Sequence, residues 1–144
     1  MDYVEIDVMT SKDGVLYVFH GPALEKTTDG TGSIFERAAA ELDQLDAGSW
    51  FGPQFTGERI PRLEPFLRWI KGKAKVFLDV KLADLDQLVF LIHDIGLEDD
   101  CFFWFEFDWM ARCFRRLTPD LSLKMNAETV AEVIKAEKAY QANI

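Results

Sequence analysis

An α/β fold built on a parallel sheet is predicted by three features of the sequence. From residue 75 onward, strand-like runs alternate with helical stripes: Lys75–Lys81, Cys101–Phe105 and Leu121–Met125 each precede an amphipathic stretch. A further strand, Tyr3–Val8, opens the chain and is followed by a hairpin and a long Gly- and Pro-rich loop. The 144 residues are 49% hydrophobic and 28% charged, which is the composition of one globular domain with a core of its own.

Each element has its local reason. In Tyr3–Val8 the side chains of Val4, Ile6 and Val8 share one face and those of Tyr3, Glu5 and Asp7 the other. Lys12-Asp13-Gly14 is a hairpin turn, because Asp and Gly tolerate positive φ, and Val15–His20 reads as the returning strand. Residues 21–61 are predicted to be irregular, with one short helical stretch at Ile34–Leu45. Leu63, Phe66, Leu67 and Ile70 mark an amphipathic helix with Pro61 near its start and Gly72 past its end. Leu85, Leu88, Val89, Ile92 and Ile95 form the next stripe, closed by Gly96. Cys101–Phe105 is a continuous apolar strand, Trp109–Leu117 a helix stopped before Pro119, and Leu121–Met125 a strand. Ala127–Tyr140 reads as a helix capped near Asn126 or Ala127, with Val130, Ala131, Val133 and Ile134 on one face. The whole of 1–144 reads as a single domain, with 9–61 inserted between a strand and its helix.

Charge and composition narrow the functional classes. Sixteen Lys plus Arg against 25 Asp plus Glu give a net charge of −9 and no basic stripe, which argues against nucleic acid as a partner. No apolar run is long enough to cross a bilayer, and no signal peptide is visible. Cys101 and Cys113 have neither metal spacing nor the look of a disulfide framework, and both read as core. A reducing, cytoplasmic setting is expected.

Strands covered by helices on both faces are nearly all apolar. Here two strands each carry a pair of charged residues two apart, Glu5 with Asp7 and Asp79 with Lys81. One such strand is ordinarily an edge strand with a wet face. Two with the same pattern, both running into a loop, point instead to a site. Three carboxylates and an ammonium at strand ends supply oxygen ligands for a hard divalent cation, and Lys81 would meet an anionic group of the substrate. His20 ends the hairpin strand that grows from the Glu5/Asp7 strand, which makes it a candidate acid/base. His93 and the Glu128/Glu132/Lys135 set read as solvated helix faces. Phe102–Phe105 reads as core, with Trp104 able to stack on a ligand.

The segments YVEIDVMTSKDGVLYVFHGPALEKTTDGTG, ELDQLDAGSWF, ERIPRLEPFL and KVFLDVK resemble, in order, the pattern of the glycerophosphodiester phosphodiesterases over roughly residues 2–126. The resemblance implies a (β/α)₈ TIM barrel of the phospholipase-C-like phosphodiesterase type, with the active site at the C-terminal strand ends. It puts Glu5, Asp7 and Asp79 on the metal ligands, His20 on the second catalytic His, and Lys81 on the Lys beside the third ligand. It implies Mg²⁺ or Ca²⁺ as cofactor, a small-molecule phosphodiester as substrate, and release of an alcohol and glycerol 3-phosphate in lipid and glycerol metabolism.

Four departures shape the expectation. The family opens with a strand ending in His-Arg-Gly, which this chain does not contain, and 144 residues fall short of the roughly 250 of a closed barrel. Gly21 follows His20 where the family has Asp, a combination that with Asp79 in place of Glu also resembles the related phospholipase D toxins. Phe105-Glu106 replaces Ser-Phe. A partial barrel is therefore expected, with weak or no turnover by this chain alone. The alternative is an inactive fragment or a phosphodiester-binding module of the same fold. Unpaired sheet edges predict homo-oligomerisation.

Overall fold

The structure is a computed structural model and describes residues 3–142. Strand β1 (Tyr3–Thr10) runs two residues further than its alternating pattern suggests and turns at Ser11–Val15 into β2 (Leu16–Val18). Gly14 takes φ +87° in that turn, a value that a side chain would strain. The ladder of β2 stops at Val18, so His20, the predicted end of a Val15–His20 strand, lies outside it, although Phe19 N–H still donates to the Asp7 carbonyl at 3.0 Å. The predicted Ile34–Leu45 helix is two pieces, a 3₁₀ turn at Ile34–Glu36 and α1 (Ala39–Leu42). Arg37 and Ala38 between them are extended. Helix α2 (Leu63–Ile70), β3 (Lys75–Leu82), α3 (Leu85–Ile95), β4 (Cys101–Phe105) and α4 (Asp108–Leu117) follow closely as predicted. The Asp84 carboxylate caps α3 by accepting from Gln87 N–H at 3.0 Å.

The sheet order is β2-β1-β3-β4, with β1, β3 and β4 parallel and β2 antiparallel on the edge. Helices α2, α3 and α4 cover one face. Ile6, Val8, Val76, Leu78, Val80, Cys101, Phe103 and Phe105 point into that layer and meet Leu63, Leu67, Leu88, Ile92, Met110 and Phe114. A second, smaller core of Met9, Tyr17, Phe19, Leu24, Ile34, Leu42 and Ile60 lies under the loop of residues 21–61. That core fixes a segment with little regular structure. The Asp46 carboxylate tightens its tip by accepting from the N–H groups of Gly48, Ser49 and Gly57 at 2.8–2.9 Å. A Cβ on Gly48 would stand 1.9 Å from the Phe55 carbonyl oxygen, so only glycine fits there.

Four expectations need correction beyond β4. Leu121–Met125 is not a strand but a single parallel bridge, Phe103 to Leu123, made by Phe103 N–H to Ser122 (2.9 Å) and Lys124 N–H to Phe103 (2.8 Å). Helix α5 (Val130–Tyr140) starts three residues late, because Thr129 and Glu132 form its capping box. Its apolar stripe is not buried: Val130 is 77% and Ile134 44% exposed, and Ala131 is exposed too. The helix packs on α4 through Ala136 and Tyr140 instead, with the Tyr140 hydroxyl donating to Asp108. Cys101 is buried as expected, whereas Cys113 is exposed on the outer side of α4.

These burials separate two substitutions that the sequence treats alike. Leu78→Ala removes a fully buried side chain from the centre of the main core and should cost about 2–5 kcal/mol. Val130→Ala should change stability by less than about 0.5 kcal/mol. Urea unfolding followed by circular dichroism measures both, and a large effect at Val130 would show that α5 buries the predicted face.

Candidate metal centre

The face of the sheet opposite the helices carries the charged residues. Parallel pairing stacks them in rows across the strands. Glu5, Phe77 and Phe102 form one row, and Asp7, Asp79 and Trp104 the next row toward the C-terminal ends. Strands lie about 4.8 Å apart, so the register alone puts the Asp7 and Asp79 carboxylates side by side. One oxygen from each of Glu5, Asp7 and Asp79 lies within 4.8 Å of the other two. Beneath them Phe77 stacks on Phe102 with centroids 4.6 Å apart, an apolar floor that keeps water from one side.

Lys81 closes the group. Its Nζ donates to Asp79 Oδ2 at 2.7 Å and lies 3.3 Å from Asp7 Oδ1, and all three side chains are less than one-fifth exposed. The ammonium also sits 5.3 Å from the centre of the Trp104 ring. Burial opposes the charge on Lys81, but Asp79 and Asp7 outweigh it and hold its pKa above the ordinary value. The Glu5 carboxyl is pushed up, first by partial burial and then by the like charges of Asp7 and Asp79, against which Lys81 and His20 act. Asp79 Oδ1 is buried and has no hydrogen-bond partner among the described residues. A buried carboxylate oxygen with a free lone pair beside two more carboxylates is the donor set of a hard divalent cation.

The exposed His20 follows Phe19, whose N–H donates to the Asp7 carbonyl. His93 is on the outer side of α3 with Nδ1 3.0 Å from Glu98 Oε1, away from this group. No sequence motif marks the clamp that anchors the hairpin. The buried Tyr17 hydroxyl donates to Asp43 Oδ1 at 2.8 Å, and Arg62 Nε donates to the same carboxylate at 3.1 Å. The pairing Tyr17↔Arg62 joins the same segments through the backbone. These residues are 45 positions apart at most and share no spacing motif, so only the folded loop reveals them. The contact of Trp104 with Lys81 was equally hidden, because the apolar run Cys101–Phe105 does not show which residues face inward.

With the fold and this geometry in hand, comparison with known proteins is decisive. The chain matches the glycerophosphoryl diester phosphodiesterase family over residues 1–94. It belongs to that family. A glycerophosphodiester phosphodiesterase of Caldanaerobacter subterraneus is 45% identical over 72 residues, which are 50% of this chain and 30% of the relative. The crystal structure of the Agrobacterium tumefaciens glycerophosphodiester phosphodiesterase superposes with a TM-score of 0.83 at 36% identity, over 86% of this chain and 54% of that one. An Oleispira antarctica phosphodiesterase, solved with its product sn-glycerol-3-phosphate, gives 0.84 at 29% identity over 95% and 60%. The chain thus spans about a third of the curated relative and somewhat over half of each solved structure. The sheet and its helices are part of a (β/α)₈ barrel.

Two outcomes follow from this arrangement. In chelator, Lys81→Met strands two half-buried carboxylates and should lower stability by about 1–3 kcal/mol, with Lys81→Met/Asp79→Asn recovering part of the loss in chemical denaturation. The Arg62 hydrogen bond holds the Asp43 carboxyl below its ordinary value. Its contribution to stability is therefore fully present above the unfolded carboxyl value of about 3.9 and fades as the pH falls through the lower folded value. Asp43→Asn should flatten the acid limb of the melting temperature against pH, and an unchanged limb would remove the clamp from the account.

Proposed function

We propose that this chain forms part of a metal-dependent phosphodiesterase that hydrolyses glycerophosphodiesters to an alcohol and glycerol 3-phosphate. The observation that carries the reading is the convergence of one carboxylate oxygen from each of Glu5, Asp7 and Asp79, with Asp79 Oδ1 unpartnered among the described residues, in a member of this family. These three would hold the cation, Mg²⁺ or Ca²⁺. When bound, such an ion supplies Lewis-acid neutralisation of the nonbridging phosphoryl oxygens. Lys81 is placed to hold a phosphate oxygen as a point charge at the same strand ends. His20 would give its proton to the departing alkoxide oxygen as that phosphorus–oxygen bond breaks and a new one forms to the oxygen of water. The sn-glycerol-3-phosphate in the Oleispira relative supports a product of that class. We read residues 1–144 as one barrel domain in part and 9–61 as its insertion. Membership of this family fits a place in lipid and glycerol metabolism. No described helix is long and apolar enough to cross a membrane, and the absence of a disulfide framework supports a cytoplasmic setting. The exposed Tyr3 at the rim of the open sheet face favours association with a second copy or with further barrel strands.

One observation favours binding with little turnover by these 144 residues alone. The chain has two histidines, and His93 is turned away on α3, which leaves His20 as the single acid/base near the carboxylates. General acid–base catalysis contributes about 10²–10⁴-fold per group, so a site with one of two such groups should be slow. Calorimetry should detect one divalent ion per chain, lost in Asp79→Ala and in Glu5→Gln, and thermal unfolding should shift upward with the ion in the wild type only. Release of glycerol 3-phosphate from glycerophosphocholine should be slow, metal-dependent and abolished by His20→Ala. Absence of ion binding would overturn the reading, and fast turnover unaffected by His20→Ala would overturn the role of His20.

A further inference from the structure

Resting on that reading, we infer that Trp104 is a positioning residue: its indole face holds the Lys81 ammonium in place for an anionic oxygen once the carboxylates are engaged by a divalent cation. The geometry is specific. Trp104 is the direct neighbour of Asp79 across the β3–β4 ladder and lies in the same inward row as Asp7 and Asp79. It is half-buried, while Cys101, Phe103 and Phe105 of the same strand are buried against the helices. Lys81 Nζ is 5.3 Å from its ring centroid, within the roughly 6 Å over which a cation is attracted to an aromatic face.

Among the described residues, Lys81 Nζ has three attractive partners: Asp79, Asp7 and the Trp104 ring. The first two are the carboxylates that a divalent cation would take. A cation bound through their other oxygens, Asp79 Oδ1 among them, draws off part of the negative charge that the Lys81 side chain (18% exposed) faces, and it sets a like charge beside the ammonium. A poorly solvated cation in that position needs another partner. The indole face is the partner that a divalent cation leaves untouched, and it carries no charge to compete for that cation. It keeps the ammonium beside the carboxylates, where a phosphate oxygen would complete its coordination. An aliphatic residue at 104 would cover the sheet equally well but would let the lysine swing into solvent.

The test reads the indole itself. In a chain with Trp50, Trp69 and Trp109 replaced by Phe, Trp104 is the sole tryptophan. Titration with calcium chloride should quench its emission as the ammonium settles on the ring, and Lys81→Met should abolish the response. If that variant folds poorly, the difference between wild type and Trp104→Phe across the same titration gives the same reading. In saturating Ca²⁺, Trp104→Leu should weaken binding of inorganic phosphate roughly two- to tenfold, Trp104→Phe less. Added to Lys81→Met, Trp104→Leu should cost nothing further. If calorimetry shows Ca²⁺ binding while the emission stays flat, or responds equally without Lys81, the role of Trp104 is overturned and the metal site stands. Additive losses for the two substitutions would also overturn it. If Ca²⁺ does not bind at all, the metal reading falls and this inference with it.

Discussion

The register between two parallel strands is the constraint on which the site depends. Asp7 pairs directly with Asp79, so two carboxylates are held at strand spacing, with Glu5 close by. Such a cluster is unfavourable by itself. Lys81 makes it tolerable by bridging Asp7 and Asp79, and it sits on the same strand as Asp79, two residues along and therefore on the same face. One residue of slip between β1 and β3 would send Asp7 into the helix-covered core and bring Val8 out. The opposite face, fully apolar from Val76 to Val80, prevents that slip. The main core and the charged site therefore specify the same register.

The loop of residues 21–61 extends this economy of means. It has little regular structure, yet a small core of its own and the Tyr17–Asp43–Arg62 clamp hold it against β2. The consequence for the site is the position of His20. The histidine is outside the ladder and exposed, but the residue before it is bonded to the Asp7 carbonyl. A mobile-looking surface group is thereby tied to the backbone of a candidate ligand.

The inner face is layered by polarity. The stacked Phe77 and Phe102 lie below in the row of Glu5, and Asp7, Asp79, Lys81 and Trp104 lie above them. An apolar layer under an ionic one lowers the local dielectric and strengthens every interaction above it. Glu5, exposed and in the row of the aromatic rings, is pushed up first by partial burial and then by the charges of Asp7 and Asp79.

Periodicity in the sequence was enough to determine the parallel α/β architecture, the boundaries of β3, α3 and β4 to within a residue, and the face on which Glu5, Asp7, Asp79 and Lys81 lie. These follow from local rules: alternate residues of a strand share a face, and a helical stripe must be covered. The same rules misread α5, because a stripe such as Val130–Ile134 says that a face is apolar and not that a neighbour reaches it. They overextended Leu121–Met125, where pairing with Phe103 is limited to one bridge. They placed Cys113 in the core, when the side of α4 it occupies faces outward. The tertiary structure alone decided that Asp7 stands beside Asp79, that Trp104 faces Lys81, and that Tyr17 and Arg62 share Asp43. Each of those contacts joins residues 19 to 72 positions apart through strand register or loop closure, and no local pattern in the chain encodes which partner a strand or loop will meet.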